Sequence, residues 1–174
     1  MKVNLGRKTM QSLTASALLA CCGVVSASTW NYFLAAGNNS SRWYFDADTV
    51  SRVGDLVTVW VKYVNEPAMP DADGSYSTAS RTVYDCSNKS SQILATVVYD
   101  REGKFMKTFP HPGEVRAIGA GSVAEAIHRI ACAPNFPRAS GGAGYQPVQN
   151  NDIYRHAADY WERQKLVNVD IAPK

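Results

Sequence analysis

Hydrophobic and polar side chains alternate along the middle of the chain, which is the pattern of β-strands. In residues 56–64, three valines and a tyrosine alternate with a threonine, a tryptophan and a lysine. The valine set is the more apolar, so we expect it to face the core. The pattern predicts further strands at residues 30–35, 42–46 with a continuation at 49–52, 80–86, 93–99 and 104–109. Short turns and one long loop, residues 65–77, favour an antiparallel meander.

The period changes near residue 122, where the pattern becomes that of a helix. Ser122 and Glu125 fit a capping box, in which each side chain bonds a free backbone N–H group at the start of a helix. Apolar side chains then share one helical face, namely Val123, Ala126, Ile127, Ile130 and Ala131. Cys132 lies at the end of this helix, so a disulfide to Cys86 would join the helix to the sheet.

The C-terminal part of the sequence predicts a linker and a second helix. Residues 133–150 contain three prolines and a glycine-rich stretch. From residue 153 to about residue 166 there is a modest apolar stripe, made by Ile153, Ala157, Tyr160, Trp161 and Gln164. Three alternatives stay open for residues 140–174: they dock on the domain, join a partner subunit, or move freely.

These patterns predict an α+β fold. It consists of an antiparallel β-sheet meander with a C-terminal helix packed on it, followed by a helical C-terminal tail. We assign residues 28–136 to the domain and residues 137–174 to the linker and tail. Without residues 1–27 the chain has 147 residues, which is the usual size of a single domain.

The first 27 residues have the pattern of an export signal. Three basic residues precede an uncharged, apolar segment, residues 12–25. Val25-Ser26-Ala27 then supplies the small residues that a signal peptidase reads, so cleavage is expected before Ser28. The apolar segment is too short for a permanent transmembrane helix, which needs about 20 residues. We therefore expect an exported protein, in the periplasm or at the outer-membrane surface.

A lipoprotein signal is the alternative interpretation of the same segment. Leu18-Leu19-Ala20-Cys21 resembles a lipobox, the motif for lipid attachment at cysteine. Leucine is less usual at the second position of that motif, and this interpretation leaves Cys22 as a free thiol beside the membrane. The soluble product is favoured. Contact with a membrane is expected only if Cys21 carries a lipid.

Removal of the signal changes the charge balance. Residues 1–27 hold three of the 18 Lys and Arg and none of the 15 Asp and Glu, so the remaining chain has 15 basic and 15 acidic groups. A protein that binds nucleic acid needs a basic face for the phosphates. The balance gives no support for such a face, so we expect no nucleic acid partner.

Cleavage also changes the cysteine count, because it leaves only Cys86 and Cys132. An oxidising compartment would favour a disulfide between them. Two separate, buried thiols are the alternative.

No motif predicts catalysis or metal binding. His111, His128 and His156 lack the i, i+4 spacing and the neighbouring carboxylates of a zinc site. Asp71 and Asp73, with the glycine that follows, only faintly resemble a calcium loop. We therefore expect a protein that is not an enzyme and has no catalytic residues, metal ligands or cofactor.

Aromatic side chains are the remaining candidates for function. Trp43, Trp60, Tyr63 and Tyr76 make up the candidate binding surface. Aromatic residues in strands commonly pack in a core or against a neighbouring strand, so core packing stays open as the alternative.

Several short motifs together resemble one known family. They are Trp43-Tyr44-Phe45-Asp46 with Thr49-Val50, Val59-Trp60, Tyr84-Asp85-Cys86, and Gly121-Ser122 leading through Glu125-Ala126 to Ala131-Cys132. In this order, over residues 29–136, they resemble the surface-adhesin protein E family of Gram-negative bacteria. The resemblance implies a small antiparallel sheet tied to a C-terminal helix by a disulfide, and no catalytic residues.

The resemblance also implies an exported protein that adheres to host cells or extracellular matrix components. We therefore expect a non-enzymatic binding protein whose partner is a host matrix protein or an envelope protein. The alternative is a periplasmic module that binds a small ligand or another envelope protein. The oligomeric state is left open, and a homodimer is one possibility.

Overall fold

A computed structural model describes residues 29–36, 40–109, 112–136, 146–149 and 152–170. The export segment with Cys21 and Cys22, His111, and most of the linker lie outside these ranges, so the interpretations that concern them stay predictions. Among the described helices, none is long and apolar enough to cross a membrane.

The described residues form an eight-stranded sheet and two helices. The strands are β1 Thr29–Ala36, β2 Ser41–Val53, β3 Leu56–Asn65, β4 Ser77–Asp85, β5 Ser90–Tyr99, β6 Phe105–Phe109, β7 Arg116–Ala117 and β8 Gln146–Gln149. The helices are α1 Val123–Ala131 and α2 Ile153–Asp170. The strand order is β6-β5-β4-β3-β2-β1-β8, with β7 also on β5, and every pair is antiparallel. The predicted meander is therefore confirmed.

Two local differences from the sequence prediction have physical causes. β2 is one strand with an irregularity in its pairing between Asp46 and Ser51, at the place where the alternation breaks. Residues 146–149, predicted as linker, form β8 because β1 offers a free row of backbone groups there, and Trp30 pairs with Val148. Pro147 suits this position, since a strand at the edge of a sheet tolerates a missing N–H group.

The sheet buries both of its faces, one under each helix. Tyr44 and Phe45 are neighbours on β2 and therefore point to opposite faces. On the α1 face the core contains Phe45, Val57, Val59, Val61, Tyr84, Ile127, Ala131 and Phe136. On the α2 face it contains Trp30, Tyr44, Val64, Ala79, Val148, Ile153, Ala157 and Trp161. The described part of the tail docks on the domain, because Val148, Ile153, Ala157 and Trp161 pack in the core on the α2 face.

Hydrogen bonds and a disulfide fix α1 at both ends. The Ser122 hydroxyl accepts from the Glu125 N–H at 3.0 Å, as the capping box predicts. The Glu125 carboxylate accepts from the Gly121 N–H at 2.7 Å, one residue before the predicted donor. This shift is possible because Gly121 adopts a φ of 73°, which turns its N–H toward the helix. At the other end, the predicted Cys86–Cys132 disulfide is present, with Cα atoms 5.5 Å apart.

Candidate binding groove

A groove of about 220 Å³ opens on the α1 face, between the sheet and the first half of α1. Trp43 and Tyr63 form one end of it. Ala124 and Ile127 are part of the wall that α1 contributes. The floor carries small hydroxyl side chains from β4, namely Thr78, Ser80 and Thr82. The remaining lining residues are Val61, Tyr84, Ser91, Ile93 and Val123. We call this site the groove.

The groove exists because α1 is short and the floor residues are small. α1 has nine residues, a length of about 13 Å. β3 has ten residues and extends about 33 Å. The helix therefore covers less than half of the strand length. Beyond its N-terminal half, Ser80 and Thr82 leave space that larger side chains would fill.

The aromatic end of the groove is held in place before any ligand arrives. Trp43 and Tyr63 pair across β2 and β3, and their ring centroids are 5.0 Å apart. The Trp43 indole N–H donates to the Ser41 hydroxyl at 3.0 Å. The Tyr63 hydroxyl donates to the Asp71 carboxylate at 2.8 Å, and burial is the main cause that raises the pKa of Tyr63 to about 12. The phenol is therefore a neutral donor at physiological pH.

The lining of the groove combines apolar surface with hydroxyl groups. Its described lining has apolar, aromatic and hydroxyl side chains and contains no histidine, cysteine, lysine or carboxylate. The groove can hold an apolar or aromatic group and offer it hydroxyl hydrogen bonds.

The four residues of the candidate binding surface do not lie together. Trp43 and Tyr63 share the groove. Trp60 packs against the core on the α2 face, where it cannot reach them. Tyr76 lies in the loop after β3, with the Arg101 guanidinium 5.8 Å from its ring centroid. The sequence analysis did not identify Ala124 or the hydroxyl residues of the floor as part of a site. The run of small residues in β4 could have indicated the floor.

The α2 face has a different chemistry, because it buries two cations under tyrosine rings. Arg42 is 5% exposed, donates to the Tyr32 hydroxyl at 2.6 Å and stacks on the ring of Tyr160. Lys62 is 4% exposed, and its ammonium lies 4.6 Å from the ring centroid of Tyr154. Tyr154 and Tyr160 belong to α2, so cation–π contacts help to hold this helix on the sheet.

Neither buried cation has a carboxylate partner within the described ranges. Burial therefore lowers the pKa of Lys62 to about 8. His156, also on α2, places Nδ1 3.0 Å from the Tyr44 hydroxyl. Burial, with Arg42 and Arg163 nearby, lowers the pKa of His156. The α2 face is thus positively charged and aromatic, and it favours a neutral His156.

The free energy of unfolding should rise by about 1–3 kcal/mol between pH 7 and pH 9.5 because of Lys62. Between a pKa of about 8 and the ordinary value of 10.5, Lys62 is neutral in the folded state and charged in the unfolded state. The unfolded state then binds the extra proton, so stability rises with pH. Urea denaturation at both pH values measures this. The rise should disappear in Lys62→Met, and the same rise in that variant would contradict the assignment.

A third arrangement surrounds the disulfide at the end of α1. One ring nitrogen of His128 and the two sulfurs of Cys86 and Cys132 all lie within 4.8 Å of one another. His128 is buried, and its Nε2 lies 3.1 Å from the Asp85 carbonyl oxygen. In the oxidised state the sulfurs are bonded to each other, so the disulfide itself has a structural role.

The two aspartates that faintly resemble a calcium loop bond to protein side chains. Asp71 accepts from Tyr63 and Ser75, and Asp73 accepts from Ser75 and pairs with Lys107.

Three comparisons with known proteins bear on this arrangement. The family model described as surface-adhesin protein E matches residues 30–133. Among solved structures, the chain is similar to the crystal structure of protein E from non-typeable Haemophilus influenzae, with 12% sequence identity. That match covers 77% of this chain and 89% of the other chain, with a TM-score of 0.39. Among curated proteins there is no match.

Proposed function

The chain belongs to the surface-adhesin protein E family, and on that premise we propose that it is an exported, non-enzymatic binding protein whose groove receives a side chain of a protein ligand. The observation that carries the proposal is the groove itself. It joins two fixed aromatic rings, an apolar helix wall and a floor of hydroxyl groups in one concave site.

The size of the groove favours a protein ligand over a small molecule. Sites that enclose a drug-sized ligand measure roughly 300–1,000 Å³. At about 220 Å³, the groove suits one apolar or aromatic side chain that a larger partner inserts. Such anchor residues, seated in well-packed pockets, contribute most of the affinity of many protein interfaces.

The setting of the groove supports a partner outside the cytoplasm. The export signal predicted in residues 1–27 and the disulfide Cys86–Cys132 both fit an oxidising compartment. The family description names a surface adhesin. We therefore propose a location at the outer-membrane surface and a host or matrix protein as the partner. The division into residues 28–136 and 137–174 remains a proposal, and α2 packs against the first of these segments.

Filling the groove from α1 should reduce binding at least about tenfold. In Ala124→Arg the long side chain extends into the groove that Ala124 lines, so the anchor cannot enter. A tenfold loss corresponds to about 1.4 kcal/mol. Ala126→Arg is the matched control on the same helix: Ala126, predicted on the apolar face, is only half-buried in the structure and belongs neither to the groove lining nor to the core cluster on the α1 face. The half-maximal concentration for binding to an immobilised basement-membrane matrix preparation measures the effect, with albumin as the blank.

Two outcomes would contradict the proposal. If Ala124→Arg and Ala126→Arg bind the matrix as the unmodified protein does, the groove is not the binding site. If the unmodified protein binds the matrix surface no better than an albumin-coated surface, the partner is not a matrix protein. Protection of the chain from protease added to intact cells would then favour the periplasmic module instead.

A further inference from the structure

We propose that Cys86, Cys132 and His128 form a binding site for a thiophilic divalent cation such as Zn²⁺ when the disulfide is reduced. These side chains would then link α1 to the sheet in both redox states. In the oxidised protein the link is the disulfide, and in the reduced protein it is the metal. This inference does not depend on what the groove binds.

The positions of the three ligand atoms are close to those that zinc requires. The two sulfurs and one ring nitrogen of His128 lie within 4.8 Å of one another. With Zn–S bonds of about 2.3 Å and Zn–N bonds of about 2.0–2.1 Å, tetrahedral ligands are separated by about 3.5–3.8 Å. Rotations of side chains therefore suffice to form the site. Three protein ligands and one water complete a tetrahedral zinc site.

The backbone holds both cysteines in place independently of the disulfide. The Cys86 N–H donates to the Asp55 carbonyl at 2.9 Å. The Cys132 N–H donates to the His128 carbonyl at 2.8 Å, one helical turn earlier. With their Cα atoms 5.5 Å apart, the two thiols remain neighbours after reduction.

The His128 ring makes the backbone hydrogen bond that a metal-binding histidine commonly makes with its second ring nitrogen. Its Nε2 lies 3.1 Å from the Asp85 carbonyl oxygen. A carbonyl oxygen can only accept, so Nε2 carries the proton and Nδ1 retains a free lone pair. A ring N–H that donates to a backbone carbonyl fixes the tautomer and the ring orientation of a ligand histidine.

A cavity of about 320 Å³ gives access to the site. Cys132 and His128 line it, together with Lys89, Glu125 and Arg129. The positive charges of Lys89 and Arg129 favour thiolates, which are the forms of cysteine that bind metals. The Glu125 carboxylate is already bonded to the Gly121 N–H, so we assign the fourth metal position to water.

Conversion of the disulfide into the metal site requires a reductant and releases protons. A dithiol or phosphine reductant supplies two electrons and, with two protons, converts the disulfide into two thiols while the reductant is itself oxidised. Binding of Zn²⁺ then releases the two thiol protons to solvent, because the metal binds thiolates. An exported chain meets reducing conditions before it leaves the cytoplasm and oxidising conditions afterwards.

Titration of Co²⁺, a spectroscopic substitute for Zn²⁺, tests the site in the full chain with Cys21→Ser and Cys22→Ser, so that Cys86 and Cys132 are its only cysteines. With a phosphine reductant we expect one Co²⁺ per chain and a thiolate-to-cobalt absorption band, which Zn²⁺ abolishes. The oxidised protein should show no band. His128→Ala should weaken binding by more than the roughly 10–100-fold that loss of a supporting partner costs. His156→Ala, a histidine on the other face of the sheet, should bind as the unmodified protein does.

The result can be distinguished from a failure to fold. After reduction, and with a chelator present, both His128→Ala and the unmodified protein should melt cooperatively, which shows that each chain is folded when Co²⁺ is added. Absence of the thiolate band in the reduced, unmodified protein would overturn the proposal. Equal affinity of His128→Ala and the unmodified protein would also overturn it, since two thiols alone would then explain the binding.

Discussion

Reduction of the Cys86–Cys132 disulfide should lower the free energy of unfolding by about 4 kcal/mol. The bond links residues separated by 46 positions, and a loop of that size restricts the unfolded chain strongly. It also ties α1, which forms one wall of the groove, to the end of β4. Thermal denaturation with and without a phosphine reductant measures the loss, which corresponds to roughly 8–16 °C for a chain of this size.

The measurement needs a metal chelator in both samples, because a cation bound to the reduced site would restore part of the stability. Cys86→Ser is the matched control, and its melting temperature should be low and insensitive to the reductant. Equal melting of the unmodified protein in the two samples would show that the disulfide contributes nothing to stability.

Replacing Trp161 with alanine should cost about 3–5 kcal/mol of the free energy of unfolding. Trp161 is 5% exposed and, among the side chains that the structure describes on α2, joins Ile153 and Ala157 in the buried stripe. Its loss leaves a cavity against the sheet and loosens the helix that covers Arg42 and Lys62. Denaturation in guanidinium chloride, followed by circular dichroism, measures the change.

An exposed neighbour on the same helix provides the control for this prediction. Asp159→Ala should change stability by no more than about 0.5 kcal/mol, as surface substitutions usually do. A similarly small effect of Trp161→Ala would mean that α2 is not part of the cooperative unit. The boundary proposed at residue 136 would then describe the whole folded domain.

The meander was predictable because its signal is local. Alternation over residues 56–64 depends only on which side chains follow one another, and the structure buries Val57, Val59 and Val61 as expected. The capped helix was predictable for the same reason. Pairing of β8 with β1 was not, because it brings together segments more than a hundred residues apart through backbone groups that carry no side-chain signal.

The candidate surface shows where sequence reasoning could have gone further. Trp60 and Tyr63 have opposite parity in β3, so the alternation already places them on opposite faces of the sheet. Trp43 pairs with Tyr63 because of the β2–β3 register, which the pattern alone does not fix. The groove depends in addition on the short length of α1 and on small residues in β4. Those features acquire meaning only when the two elements are packed together.

The burial of Lys62 and Arg42 could not be predicted from the strand sequences. Lys62 and Arg42 alternate along their strands with residues that face the α1 side, so both point to the opposite face of the sheet. A polar residue at such a position is expected to be exposed, because lysine and arginine are rarely fully buried unless paired. Tyrosine rings provide the partners here. Tyr99 of β5 and Tyr154 of α2 lie 4.3 and 4.6 Å from the Lys62 ammonium, and Arg42 contacts Tyr32 of β1 and Tyr160 of α2. Since the second apolar face is completed by a helix at the far end of the chain, the strand sequence alone predicts an exposed lysine.

Photo-crosslinking from α1 tests the central claim, that the groove contacts the protein ligand, most directly. A photoreactive phenylalanine analogue is placed at Ala124 in one protein and at Ala126 in another, and each is irradiated on the basement-membrane matrix preparation. We predict a covalent adduct with a matrix protein from position 124 and little or none from position 126. Equal adducts from both positions, or an adduct from position 126 alone, would contradict a ligand seated in the groove.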